Sequence, residues 1–533
     1  MCIVEKKPSF SSSSSSRSGG FSSSSSSSPV RGNGSASCRG NRGNHNGGKG
    51  KAHEMPEEKA KTGDSAGRRN PSASLRSPDL IARHGSREER EEKEFRKGRG
   101  KKGALNKCRA PESGLAFSAV LVRTLLEKNL VNASAFDASD PEALAVLPYD
   151  AEFALKQEAL KRFWKAGNIP GSPGTILPAP MPRHYRALSK RSAYIDPRSG
   201  RFSFVRGYGG GRKHLEGGRK TTGASQQLPH SLLEPEAHGK IYDKLETILN
   251  LPRCRATAEA LNYCIVRGAW GKYAVIFNTS VADGQVVGTL KRIAERLREE
   301  DPGIIGCFMY LDETRSEYYL ESRRPEKGVP FKKLCGTAML DITIRNRKFL
   351  YPPTVFSQIN EAMLPLMVNE AFRLLRPDPD RRFLDLYCGY GLFGLLAAEH
   401  SAEVIGMDAE GPAIEAASAN AVYHFPGRKI KFIASSITGE SLERHLPRTE
   451  KRGGGEIAVL DPPRKGTAPG VLERLVARRP FRVLHIFCGT DMLPRELGIW
   501  KANGYSPVAA VPLDLFPGTM NLETLVLLER KRS

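Results

Sequence analysis

Short apolar runs alternate with amphipathic helical runs from about residue 381 onward, and this alternation constrains the 533-residue chain more than any other feature. Strands are predicted at 383–387, 403–407, 430–434, 457–460, 482–487, 507–513 and 522–528, and helices at 392–399, 412–422, 470–477 and 492–503. Such alternation predicts a doubly wound α/β sheet with helices on both faces. The carboxyl ends of its parallel strands meet at one edge, where ligands bind.

Two of these strand ends carry reactive groups. One strand runs into the turn 461–464 (DPPR), and the next ends on Cys488. Because both ends lie on the same edge, we expect the turn to form a platform for a flat ring beside a sulfur nucleophile. This pairing indicates chemistry at a pyrimidine carbon. Cys388, by contrast, is expected to be a small buried hydrophobic residue.

The first strand of the alternating region is followed by a glycine-rich loop, 385–394 (DLYCGYGLFG), and the second ends on Asp408. Taken alone, the G-x-G-x-x-G pattern predicts a dinucleotide site and makes an NAD-dependent oxidoreductase the alternative. Asp385 would be unfavourable beside a pyrophosphate, but it suits a methionine moiety or a loop anchor. Together with the DPPR turn, the loop favours S-adenosylmethionine, whose ribose Asp408 would hold.

The motifs in order resemble the RNA 5-methyluridine (uracil-C5) methyltransferase family, a class I S-adenosylmethionine-dependent family. The resemblance covers roughly the C-terminal 190 residues and rests on the segments 356–360 (FSQIN), 385–391 (DLYCGYG), 461–466 (DPPRKG), 488–490 (CGT) and 516–523 (FPGTMNLE). It implies that Cys488 is the nucleophile and that Glu523 is the general base. It also implies cofactor contacts from Gln358, Tyr387, Asp408 and Asp461, with Ser436 as a poorer candidate.

Several positions depart from the family pattern. Leu392 replaces an asparagine, Asp408 a glutamate and Asn521 a histidine, and Gly489-Thr490 replaces Asn-Pro. The resemblance therefore describes a divergent member and leaves a catalytically inactive RNA-binding homologue as a further alternative.

Cysteine spacing argues against a metal centre. The bacterial ribosomal-RNA branch often clusters three cysteines before a Tyr-x-x-Gln-Leu helix, but residues 132–147, before Tyr149, contain none. The nine cysteines form no C-x-x-C pair, so neither an iron–sulfur cluster nor another metal site is expected.

The chain upstream of the sheet divides by composition. Residues 1–110 are a serine-, glycine- and basic-rich segment with too few apolar residues to form a core, so disorder is predicted. Residues 111–345 are predicted to be an α+β module for RNA recognition, and residues 346–533 the methyltransferase domain. Basic and aromatic residues interleave at 185–195, which is typical of a nucleic-acid-binding sheet face and equally of an ordinary solvated strand.

Charge and hydropathy limit the kinds of partner that the chain can have. Lysine and arginine exceed aspartate and glutamate by 82 − 58 = 24, which favours a polyanion, here transfer or ribosomal RNA. No apolar run reaches the roughly 18 residues of a membrane span, and the first residues lack a signal-peptide core. We expect a cytoplasmic monomer, with an organelle or the nucleus as alternatives in a eukaryote.

Overall fold

The computed structural model describes residues 115–132, 136–206, 231–313, 331–409, 411–448 and 455–530. The predicted disordered tail, 1–110, lies outside the described residues. The strands are β1 Leu188–Ile195, β2 Phe202–Arg206, β3 Leu261–Arg267, β4 Tyr273–Thr279, β5 Ile304–Leu311, β6 Phe331–Gly336, β7 Leu340–Ile344, β8 Arg347–Tyr351, β9 Arg382–Leu386, β10 Glu403–Asp408, β11 Ile430–Ala434, β12 Glu456–Leu460, β13 Arg482–Phe487, β14 Tyr505–Leu513 and β15 Glu523–Arg530. The helices are α1 Phe117–Glu127, α2 Tyr149–Ala166, α3 Glu236–Leu249, α4 Arg255–Ala260, α5 Gly284–Glu300, α6 Leu364–Leu375, α7 Leu392–Ala397, α8 Gly411–His424, α9 Gly439–His445, α10 Val471–Ala477 and α11 Leu493–Ala502.

A seven-stranded sheet forms the C-terminal half, in the order β11-β10-β9-β12-β13-β15-β14. Its first five strands pair in parallel, whereas β15 runs antiparallel to both β13 and β14. The sheet confirms the predicted doubly wound class, with strand limits close to those expected from the sequence. The antiparallel β15 brings its first residue, Glu523, to the edge where β13 ends.

Alternate residues of the central strands pack on opposite faces of this sheet. On β12, Ile457 and Val459 join the apolar cluster of α6, α7 and α8, while Ala458 and Leu460 join that of α1, α2, α10 and α11. Every residue of β12 is buried. Because both faces are covered, the strands are near-continuous apolar runs, and their polar chemistry is confined to the strand ends.

A six-stranded mixed sheet precedes it, in the order β2-β1-β3-β4-β5-β6, with α3, α4 and α5 over one face. Helix α5 begins after Asp283, whose carboxylate accepts the Val286 amide at 2.8 Å as an N-cap. This architecture agrees with the predicted α+β module. Helices α1 and α2 instead pack on the seven-stranded sheet, and the division proposed at residue 345 stays a prediction.

The interleaved segment 185–195 turns several polar groups inward. Tyr185 is buried, and its hydroxyl donates to the Pro517 carbonyl at 2.8 Å. Arg191 is also buried and pairs with Glu234 at 3.3 Å. These two side chains serve internal packing, and they are closed to a nucleic-acid ligand. Among the described residues no helix is long and apolar enough to cross a membrane.

Candidate active site

Three predicted site residues meet at the carboxyl edge of the seven-stranded sheet. A ligating atom from each of Asp461, Cys488 and Glu523 lies within 4.8 Å of the other two. The Cys488 thiol donates to Asp461 Oδ1 at 3.2 Å. Sheet order explains the meeting, because β12 and β13 end side by side and β15 begins against β13.

Burial dominates the electrostatics of this cluster. It raises the pKa of Cys488 well above the usual thiol value, and the neighbouring Asp461 and Glu523 raise it further. Burial and then the charge of Asp461 raise the pKa of Glu523 well above its ordinary range, and burial raises the pKa of Asp461 to about 6. The exposed Arg464 opposes the shifts of Cys488 and Glu523, and its guanidinium lies 5.4 Å from the centre of the Phe516 ring. The resting site therefore holds protons and can exchange them.

The glycine-rich loop turns away from β9 through left-handed backbone. Tyr387 has φ 65° and Gly391 has φ 85°. A Cβ on Gly391 would stand 2.8 Å from the Phe432 ring, so only glycine fits this close approach. Asp385 Oδ2 accepts the Gly394 amide at 2.7 Å, which is the loop-anchoring role considered for it. Burial raises the pKa of Asp385 to about 7.

The remaining predicted cofactor residues lie around this loop. Asp408 Oδ2 accepts the Gly389 amide at 2.9 Å, and a Cβ on Gly389 would meet nothing within 4 Å. Open space beside a strand-end carboxylate suits a ribose-bearing cofactor. The Tyr387 ring packs against an apolar cluster, and Ser436 is exposed after β11.

Gln358 is buried in a segment fixed from both sides. Arg267 on β3 donates to the Val355 carbonyl and to Ser357 Oγ, each at 2.8 Å. On the other side, Asn360 Nδ2 donates to the Leu515 carbonyl at 3.0 Å. The six-stranded sheet thus helps to place Gln358 beside the edge of the seven-stranded sheet.

The departures from the family pattern have local physical reasons. A Cβ on Gly489 would stand 2.3 Å from the Arg464 carbonyl oxygen, so a side chain there would displace the DPPR turn. Thr490 Oγ1 donates to the Leu522 carbonyl at 3.2 Å and connects the segment after Cys488 to the residue before Glu523. The Leu392 side chain packs in the apolar cluster of α6, α7 and α8. Asn521 Nδ2 donates to Thr519 Oγ1 at 3.2 Å.

Glu496 holds the chain just after the DPPR turn, and the sequence alone does not mark it. Its Oε1 accepts the Thr467 amide at 2.8 Å and hydroxyl at 2.9 Å, while its Oε2 lies 3.1 Å from Nε2 of the buried His485. Burial alone would raise the pKa of Glu496, but the His485 hydrogen bond and charge and the Thr467 amide lower it to about 2. No local pattern marks Glu496, because its partners lie on separate segments of the chain.

Comparison with known proteins identifies the family. The family model for tRNA (Uracil-5-)-methyltransferase matches residues 320–531, which include the whole strand-end cluster. These residues belong to that family. The match confirms the predicted RNA (uracil-C5) methyltransferase family and, with it, a class of enzymes that depends on S-adenosylmethionine.

Individual relatives extend the comparison. An "Uncharacterized RNA methyltransferase" of Thermotoga maritima is 24% identical over 393 residues, which are 71% of this chain and 80% of that protein. The 23S rRNA (uracil(1939)-C(5))-methyltransferase RlmD of Burkholderia ambifaria is 30% identical over 259 residues, 46% of this chain and 53% of that one. The chain thus spans about half the length of the Burkholderia enzyme.

Among solved structures, the Pyrococcus abyssi tRNA (uracil-54, C5)-methyltransferase in complex with S-adenosyl-L-homocysteine superposes with a TM-score of 0.52 at 19% identity. The match covers 73% of this chain and 86% of that one and shows a shared fold.

Proposed function

We propose that this protein transfers a methyl group from S-adenosylmethionine to C5 of a uridine in RNA, forming 5-methyluridine. The observation that carries the proposal is the meeting of Cys488, Asp461 and Glu523 within 4.8 Å at the carboxyl edge of the sheet. The thiol supplies a nucleophile, and a second, separately held carboxylate supplies a base.

The chemistry begins at Cys488. C5 of uracil is a poor nucleophile, but addition of the thiolate to C6 gives C5 carbanion character. The hydrogen bond to Asp461 offers the departing thiol proton an acceptor at 3.2 Å. Because burial and the neighbouring carboxylates hold the resting thiol protonated, attack awaits the change in charge that bound partners bring.

Glu523 completes the reaction. When bound, S-adenosylmethionine would supply the methyl group that the C5 electron pair takes up, and S-adenosylhomocysteine would be the leaving group. Glu523 must first lose the proton that its raised pKa holds in the resting site. As the carboxylate it then removes the C5 proton, the C–H electron pair restores the C5–C6 double bond, and Cys488 leaves as the thiolate. The base must be turned out of its stack to reach this edge. Arg464 or backbone amides would interact with its developing O4 charge.

The residues around the glycine loop fit S-adenosylmethionine better than NAD. The charges of the half-buried Asp461 and Asp408 already act on the buried Asp385, so the site is rich in acidic groups. An anionic pyrophosphate would be repelled here, whereas a cationic sulfonium would be attracted. We assign cofactor contacts to Gln358, Tyr387, Asp408 and Asp461, with Ser436 as a poorer candidate.

The RNA class is proposed as transfer or ribosomal RNA. The basic charge suits either polyanion, and the relatives above include one enzyme of each kind. Mass-spectrometric mapping of 5-methyluridine in RNA from cells with and without the gene would identify the target.

Trapping tests the reaction itself. With 5-fluorouridine RNA, fluorine replaces the removable C5 proton, so the wild-type protein should form a stable covalent complex seen as a slow band on a denaturing gel. Glu523→Gln should form the same band with ordinary uridine RNA and carry radiolabel from the cofactor. An inactive RNA-binding homologue would give neither band, and calorimetry that showed NADH binding without S-adenosylmethionine binding would favour the oxidoreductase.

A further inference from the structure

A buried ionic network holds the loop that leads to Glu523. Lys156 on α2 lies 2.8 Å from Asp514 Oδ1 and 2.8 Å from Glu152 Oε1, and all three side chains are fully buried. Arg183 pairs with the other oxygen of Glu152 at 3.1 Å. Two cations therefore balance two carboxylates in the interior, which is the condition for burying such charges.

The network reaches into the 514–519 loop through its backbone. Lys156 Nζ donates to the Phe516 carbonyl at 3.1 Å, and the Gly518 amide donates to Glu152 Oε1 at 2.6 Å. Two further residues donate to the loop backbone. The Leu144 amide donates to the Gly518 carbonyl at 3.0 Å, and the Tyr185 hydroxyl donates to the Pro517 carbonyl. Four successive backbone groups of a connecting loop are thereby fixed by residues far upstream.

The loop touches the active site at two points. Phe516 lies under the Arg464 guanidinium of the DPPR turn. At its far end the loop passes through residues 520–522 into β15, where Glu523 begins the strand. Cys488 is placed differently, by the end of β13 and its hydrogen bond to Asp461.

We propose that Lys156 and Glu152 are positioning residues for the elimination step, because they fix the loop that sets the location of the Glu523 carboxylate. The inference rests on the proposed function. A displacement of about 1 Å in a reacting group can cost about 100-fold in rate. Loosening this network should therefore slow removal of the C5 proton while leaving attack by Cys488 largely intact.

The main test uses Glu152→Leu, which removes the acceptor for the Gly518 amide while Lys156 keeps Asp514. With uridine RNA, we expect kcat to fall at least about tenfold and a methyl-labelled covalent complex to accumulate. The rate of complex formation with 5-fluorouridine RNA and the affinity for S-adenosylmethionine should stay near wild-type values. Lys156→Met should show the same pattern if it remains folded, as checked by thermal unfolding.

Glu152→Gln is the matched control. It retains an oxygen for the Gly518 amide, so turnover should stay near that of the wild type. A merely structural role would lower trapping, cofactor binding and turnover together with the folded fraction, and that result would overturn the inference. Absence of trapping in the wild type would instead count against the proposed function.

Discussion

Two groups of buried carboxylates lie at opposite ends of the segment 514–523, and they differ in how their charge is balanced. At the first end, Glu152 and Asp514 surround Lys156. At the second end, Asp461 and Glu523 flank an uncharged thiol, and Arg464, the cation that lowers the pKa of Glu523, is exposed. Burial raises the pKa of Asp514, and the charge and hydrogen bond of Lys156 offset part of that rise.

The difference separates a scaffold from a reactive centre. A paired buried charge has a fixed geometry and little reason to exchange its proton. An unpaired group of acids has raised pKa values and can accept or release protons as ligands arrive. Substitutions in the reactive group should therefore change activity more than stability. Substitutions in the paired group should lower stability and, through the 514–519 loop, slow the elimination step.

The largest expected effect is on activity at the reactive end. Cys488→Ala removes the attacking sulfur, so methylation should fall by at least about a thousandfold, as measured by transfer of radiolabel to RNA. Cofactor binding and the melting temperature should change little. Retained methylation at uridine C5 would show that the nucleophile is misassigned and would make Cys388 the next candidate.

The next largest effect is on stability at the paired end. Lys156→Met leaves two buried carboxylates with one partly exposed arginine, so the free energy of unfolding should fall by about 3–5 kcal/mol. Urea unfolding of this variant and of Glu523→Gln provides the comparison, since the latter removes an unbalanced buried acid and should cost little. Equal losses in the two variants would contradict the distinction between the groups.

The third effect concerns pH. Folding raises the pKa of Asp385 to about 7 from 3.8, so the folded state holds this proton longer than the unfolded chain. Its contribution to stability is therefore complete below the unfolded value and is lost as pH rises toward the folded one. Asp385→Asn cannot ionise. Its free energy of unfolding should therefore rise relative to that of the wild type, by about 2–4 kcal/mol as the pH increases from about 4 to about 8.

Urea titrations across that pH range measure the gain. Asp378→Asn is the control, because Asp378 is exposed and its pKa is lowered by its hydrogen bond from the Asp380 amide. If the free energies of unfolding of the wild type and Asp385→Asn differ by the same amount at every pH, Asp385 is not buried as a neutral acid.

The smallest expected effect tests the close approach of Gly489 to the Arg464 carbonyl oxygen. A Cβ at Gly489 would overlap the Arg464 carbonyl, so Gly489→Ala should destabilise the fold by about 1–3 kcal/mol. The control is Gly498→Ala within α11, where a Cβ meets nothing within 4 Å and a modest gain is expected. If Gly489→Ala keeps the wild-type free energy of unfolding and forms the covalent complex as fast as the wild type, the turn can shift at no cost.

The sequence by itself determined the doubly wound sheet and the residues at its edge. Period and composition were enough, because strands buried on both faces are near-continuous apolar runs and leave polar chemistry to their ends. The segments around Asp461 and Cys488 follow directly on such strands, so their meeting could be predicted. The roles of the site residues, by contrast, came from the resemblance to the family.

Only the tertiary structure decided how the site is held. Glu152 and Lys156 are four residues apart on a helix, a spacing typical of a solvated ion pair, yet both are fully buried against a loop more than 350 residues away. Glu496 likewise holds the chain just after the DPPR turn from a later helix. Local sequence records periodicity and the preference of single residues, but the balance of buried charge depends on which distant segments pack together.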